Sequence, residues 1–191
     1  MKDKIDDNQL LLPSGKIITL NIDQIEGIQK IKIWLKDRDK NFFTLSGPAG
    51  TGKSTVIKKI LDNYRWGVVV SGPTHKSKKK IMETTDIEGF TLHSLLGLRA
   101  DVSMESYNPN NPIFNPIALP RITDYSLLIL DEVSMVNKAL YELIKEKVIG
   151  SSTKVLFMGD ACQLPPVNQD ISPAFNDESI ENFELETSIK V

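Results

Sequence analysis

Eight consecutive residues, Gly47-Pro48-Ala49-Gly50-Thr51-Gly52-Lys53-Ser54, constrain this chain more than any other stretch of it. They fill the pattern G-x-x-x-x-G-K-[ST] at every specified position. An apolar run of buried-strand length, Phe42-Phe43-Thr44-Leu45-Ser46, leads into them, and Ser54 to Leu61 carries helical spacing behind them. A glycine loop in that setting lets backbone N–H groups close around phosphate oxygens at the positive end of the following helix. Lys53 then brings a point charge to the β- and γ-phosphates, and Ser54 offers a hydroxyl to Mg2+. The bland alternative is a glycine turn that only starts a helix.

The rest of the chain repeats strand and helix. Gly67 to Val70 is a second apolar strand ending at Ser71-Gly72-Pro73; Ser126 to Leu130 is a third, ending in Asp131-Glu132. Lys154 to Met158 is a fourth, closed by Gly159-Asp160. Helical spacing starts at Ile22, with Asn21 or Asp23 as its cap, and returns over Thr74 to Glu83 and from Asn137 to about Val148. Phe90 to Leu96 reads as a short helical segment with a start signal at Thr91. Continuous apolar strands alternating with helices predict a mainly parallel sheet covered on both faces, a three-layer α/β P-loop NTPase fold. Leu10-Leu11-Leu12, Pro13-Ser14-Gly15 and Lys16 to Leu20 predict a short N-terminal hairpin. Residues 99–120, rich in asparagine and proline, predict a small irregular insertion with a short strand or two. The 191 residues read as a single domain.

Composition removes several classes. The 23 basic and 25 acidic residues leave a net charge of −2, and the isoelectric point of 5.8 excludes a strongly basic binding domain. Any polyanion site must be a local patch. Lys76, Lys78, Lys79 and Lys80 form the best one, beside Pro73-Thr74, unless they are simply a solvated helix face. The single cysteine, Cys162, supports neither an internal disulfide nor a zinc framework. Met1 to Asp7 is too charged for a signal peptide, and no apolar run reaches membrane-span length. The expected setting is reducing and intracellular, cytoplasmic or nucleoid-associated, with no membrane partner.

Asp131-Glu132 follows a buried strand, where Asp131 can hold Mg2+ through water and Glu132 can orient and deprotonate an attacking water. Taken alone, the pair is also an ordinary acidic turn. Gln163, in Gly159-Asp160-Ala161-Cys162-Gln163-Leu164-Pro165-Pro166-Val167, is a neutral amide able to contact a γ-phosphate, in what is otherwise a proline-stiffened loop. Trp34, Trp66, Phe90 and Tyr107 could stack on bases, although core packing or strand flanking suits Trp34 and Trp66 better.

Taken in order, these blocks resemble superfamily 1 DNA helicases of the RecD-like and Dda-like branch, in their N-terminal RecA-like motor domain. Asn21-Ile22-Asp23-Gln24 is similar to the segment whose glutamine reads adenine, which implies Gln24. Gly72-Pro73-Thr74-His75-Lys76 resembles the first single-strand-contacting motif, and Thr91-Leu92-His93-Ser94 the short helix that touches the strand next. The resemblance thus assigns DNA contacts to Pro73, Thr74, His75, Lys76, Thr91, His93 and Ser94. Asp131 to Met135, Gly159 to Val167, Asp170 to Phe175 and Phe183-Glu184-Leu185 also match that branch. It implies ATP and Mg2+ as cofactors, with Gly47 to Ser54 around the nucleotide and Lys53, Glu132 and Gln163 in catalysis. Single-stranded DNA is the implied partner, along with replication or recombination proteins.

Two departures accompany the resemblance. The family joins this domain to a second RecA-like domain, which is expected to be absent here, and residues 99–120 occupy the place of a wedge subdomain. Where the family carries an arginine that reaches the γ-phosphate, this chain ends Glu186-Thr187-Ser188-Ile189-Lys190-Val191, placing Lys190 or Val191 there. Lysine lacks the planar fork of arginine. The expected function is ATP hydrolysis coupled to translocation on single-stranded DNA when a second domain is present. The rival readings are a nucleotide- and DNA-binding module without turnover, and a small P-loop phosphotransferase.

Overall fold

The computed structural model describes residues 8–11, 15–100, 114–167 and 169–187. Their elements run β1 (Gln9–Leu11), β2 (Ile17–Thr19), α1 (Ile22–Lys36), β3 (Phe42–Ser46), α2 (Lys53–Leu61), β4 (Val68–Gly72), α3 (His75–Thr85), β5 (Gly89–Thr91) and α4 (Leu92–Leu95). Then follow β6 (Leu98–Ala100), β7 (Phe114–Pro116), β8 (Leu127–Leu130), α5 (Lys138–Val148), β9 (Lys154–Gly159) and β10 (Glu181–Glu184). Among the described residues, six strands form one sheet in the order β10-β3-β9-β8-β4-β5, every pair parallel. β1 pairs antiparallel with β2, and β6 with β7. Residues 12–14 of the expected hairpin turn, Tyr107 and Asn108 to Pro112 of the insertion, and Lys190 and Val191 lie outside the described residues.

The pleat of the strands builds two cores. Phe43, Leu45, Val68, Val70, Leu127, Ile129, Leu156 and Met158 share one face with Ile31 and Trp34 of α1, Ile57 and Ile60 of α2, and Ile81 of α3. Phe42, Val69, Leu128, Leu130, Val155 and Phe157 alternate with them and meet Leu92 and Leu95 of α4 and Tyr141 and Ile144 of α5. Both faces of every central strand are covered, so the strands read as unbroken apolar runs. Trp34 is wholly within the first core, its ring centroid 5.6 Å from that of Phe43.

Two details differ from the sequence-based expectation. Phe90 belongs to strand β5, not to a helix, because Gly89–Thr91 pairs with Val70–Gly72 of β4. Such a three-residue strand is too short to show a period of its own. Strand β10 was not anticipated at all. Its residues Glu-Asn-Phe-Glu carry no apolar run because it is an edge strand, paired among the described residues only with β3. Of the two placements expected for Trp66, it takes strand flanking and not core packing: it is 93% exposed, in the turn before β4.

Between β9 and β10 the chain is fastened to α5. Asp177 accepts hydrogen bonds from the Tyr141 hydroxyl (2.6 Å), the Lys145 ammonium (2.7 Å) and Ser179 Oγ (2.5 Å). Burial alone would raise the Asp177 carboxyl, but the Lys145, Ser179 and Tyr141 bonds outweigh it and hold the group well below its ordinary 3.8. A depressed folded value means that the stabilisation is complete above the unfolded value and lost as pH falls through the folded one. Asp177→Asn should therefore be less stable than the parent at neutral pH, by about 1 kcal/mol. Below about pH 4 it should lose less further stability than the parent. Urea unfolding across an acid pH series measures both.

Candidate nucleotide and nucleic-acid site

Parallel pairing brings five strand ends to one rim of the sheet. Ser46 at the end of β3 lies opposite Gly159 of β9, Phe157 opposite Leu130 of β8, Leu130 opposite Ser71 of β4, and Gly72 opposite Thr91 of β5. The loops that leave these ends carry nearly all the candidate residues found in the sequence. In an open parallel sheet, this carboxyl rim is where ligands bind.

The loop after β3 wraps the start of α2. Gly52 caps that helix in the left-handed region, φ 90°, where a side chain would be strained. No side chain caps α2, so its first-turn N–H groups face an incoming anion. Gly47 is required for a different reason: a Cβ there would stand 2.5 Å from the Leu185 carbonyl oxygen. Thr51 is buried and donates its hydroxyl to the Pro48 carbonyl at 2.9 Å. Lys53 folds back onto the carbonyls of Gly47 (2.5 Å) and Pro48 (3.1 Å). Burial pushes the Lys53 ammonium below its usual value, while Asp160, Asp131 and Glu132 oppose that shift.

A cleft of about 420 Å³ opens beside this loop, and Lys53, Ser54, Asp131, Glu132, Asp160 and Gln163 are on its wall. Asp131 is almost fully buried and is positioned by its own backbone N–H, which donates to the Ser71 carbonyl at 2.9 Å. Burial, then the neighbouring Glu132 charge, push its carboxyl above the usual value. Glu132 adopts φ 55°, ψ 42°, and its N–H donates to Asp131 Oδ1 at 2.9 Å. Its Oε1 accepts from the Lys80 ammonium of α3 at 2.9 Å. Asp160 Oδ1 accepts from the Cys162 N–H, and Gln163 closes the same turn with its amide exposed. The hydroxyl of Ser54 and the carboxylate of Asp131 are hard oxygen donors of the kind Mg2+ takes, with phosphate and water completing its shell. Among the described residues no group of three or more His, Cys, Asp or Glu could hold a metal ion unaided.

Gln24 is elsewhere. It is 2% exposed and off the cleft wall. Its Oε1 accepts from the Asn21 N–H in a capping box at the start of α1, and its Nε2 donates to the Thr51 carbonyl at 3.1 Å. Both ends of the amide are engaged, so the side chain that the resemblance assigns to adenine braces the phosphate loop from behind.

The two segments that the resemblance assigns to strand contact follow β4 and β5 side by side. Thr74 and Thr91 are the N-caps of α3 and α4, their hydroxyls accepting from Ser77 N–H (3.1 Å) and Ser94 N–H (3.3 Å). His75, Lys76 and Ser94 are exposed, and Pro73 and His93 partly so. Burial lowers the His93 pKa. Of the aromatic candidates, Phe90 is covered by the Arg121 guanidinium at 5.2 Å, and Trp66 lies at the opposite end of β4 from this rim. Sequence reasoning missed Lys80 and Asp160 as cleft residues. The sequence places Lys80 in the lysine patch of α3, and nothing local marks it as facing the acidic pair after β8.

An AAA-domain profile matches residues 19–190. The chain belongs to the AAA-domain family. This AAA domain is 31% identical over 160 residues to the ATP-dependent DNA helicase dda of Enterobacteria phage T4, covering 79% of this chain and 35% of that protein. It is 35% identical over 127 residues to the ATP-dependent RecD2 DNA helicase of Deinococcus radiodurans, covering 65% of this chain and 16% of that protein. The Pif1 helicase from Bacteroides, solved in complex with ADP-AlF3 and ssDNA, superposes with a TM-score of 0.55 at 25% identity, over 86% of this chain and 42% of that one. The proteins it resembles are thus named as Dda, RecD2 and Pif1 helicases, in line with the resemblance to the RecD-like and Dda-like branch of superfamily 1. The match spans about a third of the first of these curated relatives and less of the second.

The bracing role of Gln24 is testable apart from any ligand. Gln24→Glu keeps the oxygen that caps α1 and removes the donor to Thr51. It should cost at least about 1–3 kcal/mol, because a buried carbonyl loses its donor and a carboxyl is buried in its place. Amide exchange over residues 48–54 should quicken relative to the parent, and unchanged exchange there would deny Gln24 that role.

Proposed function

We propose that this AAA domain binds Mg-ATP, hydrolyses its γ-phosphate, and serves as a motor domain of an ATP-dependent DNA helicase that moves on single-stranded DNA. The observation that carries this reading is the meeting of Lys53, Ser54, Asp131, Glu132 and Gln163 on one cleft. The five come from three separate places, the start of α2 and the loops after β8 and β9. A second RecA-like domain would supply the other grip on the strand.

The chemistry follows from the placement. The phosphate loop and the α2 N-terminus hold the triphosphate, and Lys53 leaves the Gly47 and Pro48 carbonyls to pair with its terminal oxygens. Ser54 and Asp131 would hold Mg2+, which neutralises charge building on the β- and γ-phosphates. Glu132 orients water and takes its proton as the oxygen attacks the γ-phosphorus. The bond to the bridging β–γ oxygen breaks, ADP leaves with that electron pair, and inorganic phosphate is the second product. Gln163 contacts the γ-phosphate and responds to its loss. Two rim stations after β4 and β5, holding Pro73 to Lys76 and Thr91, His93 and Ser94, take the strand through its phosphates and sugars.

Removing the Lys53 contact in Lys53→Ala should weaken a fluorescent ATP analogue roughly ten- to a hundredfold. Glu132→Gln should bind that analogue as the parent does and lose hydrolysis. Equal analogue affinities for parent and Lys53→Ala, or undiminished phosphate release by Glu132→Gln, would overturn the assignment.

A further inference from the structure

The cleft wall includes one cation that the mechanism above does not use. Helix α3 rests directly on the end of β4: at Gly72 a Cβ would collide with Ser77 and stand 2.8 Å from the Lys78 backbone nitrogen. β8 is the next strand, so this close seat carries α3 over the Asp131-Glu132 turn. Lys76, Lys79, Lys80 and Glu83 recur at i, i+3, i+4 and i+7, one face of the helix. Together with Thr74, Glu132 and Gln163 they line a groove of about 600 Å³ that joins the strand-contacting rim to the nucleotide cleft. Lys80 alone among these lysines belongs to both hollows. Its ammonium pairs with Glu132 Oε1 at 2.9 Å, with the Lys80 side chain 62% exposed and that of Glu132 21%.

Two further features make this turn a place where an alternative arrangement costs little. Glu132 is held at φ 55°, a conformation non-glycine residues keep only when their surroundings impose it. The buried hydroxyls of Ser134, two residues on, and of Ser71, whose carbonyl accepts from the Asp131 N–H, have no hydrogen-bond partner among the described residues. A carboxylate oxygen that already accepts from an ammonium is a poorer acceptor for a water proton. An ion pair whose lysine is this exposed is weak, and a phosphate oxygen can take its cation.

We propose that Lys80 is exchanged between Glu132 and a backbone phosphate of the bound strand, so that nucleic acid in the α3 groove frees Glu132 to act on water. The inference rests on the reading of Glu132 and of the rim given above. It makes Lys80 a positioning residue acting through Glu132. The backbone is the favoured phosphate source because Lys76 and Lys79 continue the same cationic face away from the cleft. By linkage, loosening Glu132 must also alter strand binding.

A double-mutant cycle on strand binding tests this without relying on turnover. Fluorescence anisotropy with labelled oligothymidine compares the parent, Glu132→Gln, Lys80→Ala and the double variant, with circular dichroism checking that each is folded. Glu132→Gln should tighten oligothymidine binding about threefold in the parent background. In the Lys80→Ala background it should change binding by less than about 1.5-fold, because no lysine is left to release. Lys80→Arg, which keeps the cation, should respond to Glu132→Gln as the parent does. An equal effect of Glu132→Gln in both backgrounds would mean general charge repulsion and overturn the exchange. A Lys80-dependent effect on a fluorescent ATP analogue but not on oligothymidine would assign Lys80 to the γ-phosphate and also overturn it. A parent chain that binds no oligothymidine would fail the nucleic-acid reading itself, an outcome distinct from binding with a null cycle.

Discussion

Everything at the site depends on parallel pairing that levels the carboxyl ends of the central strands. Ser46 faces Gly159, Leu130 faces both Phe157 and Ser71, and Gly72 faces Thr91. A one-residue slip would exchange the two faces of a strand and move its outgoing loop by about 3.3 Å. Opposite burial of neighbours such as Phe42 and Phe43, or Val69 and Val70, forbids that slip. The apolar cores therefore do more than stabilise the domain. They set the height at which Lys53, Asp131 and Gln163 meet.

Electrostatics then gives the cleft its character. Desolvation pushes Lys53 down and Asp131 up, each toward neutrality, while carboxylates oppose the first shift and Lys80 and Lys53 oppose the second. Lys53 and Asp131, opposite charges in a partly buried cleft and not paired with each other, are ready for a ligand that brings both signs, as a metal-bound triphosphate does. Behind the cleft, Gln24 links the start of α1 to Thr51, and the Thr187 N–H donates to Asp23 at 2.8 Å. The phosphate loop is thus held between α1 and the strand end that follows β10.

Much of this was legible in the residues. The four central strands, the helices after them, the phosphate loop and the acidic pair all announce themselves by local pattern, because a strand buried on both faces needs an unbroken apolar run. The order of helicase-like blocks made the two rim stations readable as well. What stayed hidden had no local signature. β5 and β10 exist because neighbouring strands offered them partners, and ENFE carries no apolar run. Trp66 shows the converse, an apolar side chain that no element covers.

The sequence by itself determined the fold class, the loop that closes on phosphate, and the identity of the carboxylates and amide around it, since each depends on residues adjacent in the chain. Only the tertiary structure decided which of the four α3 lysines reaches Glu132. It also decided that Gln24 turns inward to the loop carbonyl and that the stations after β4 and β5 stand side by side. Those outcomes depend on the register of non-adjacent strands and on how closely α3 approaches Gly72. Distances of that kind are set by packing across the whole sheet, and no local stretch of residues encodes them.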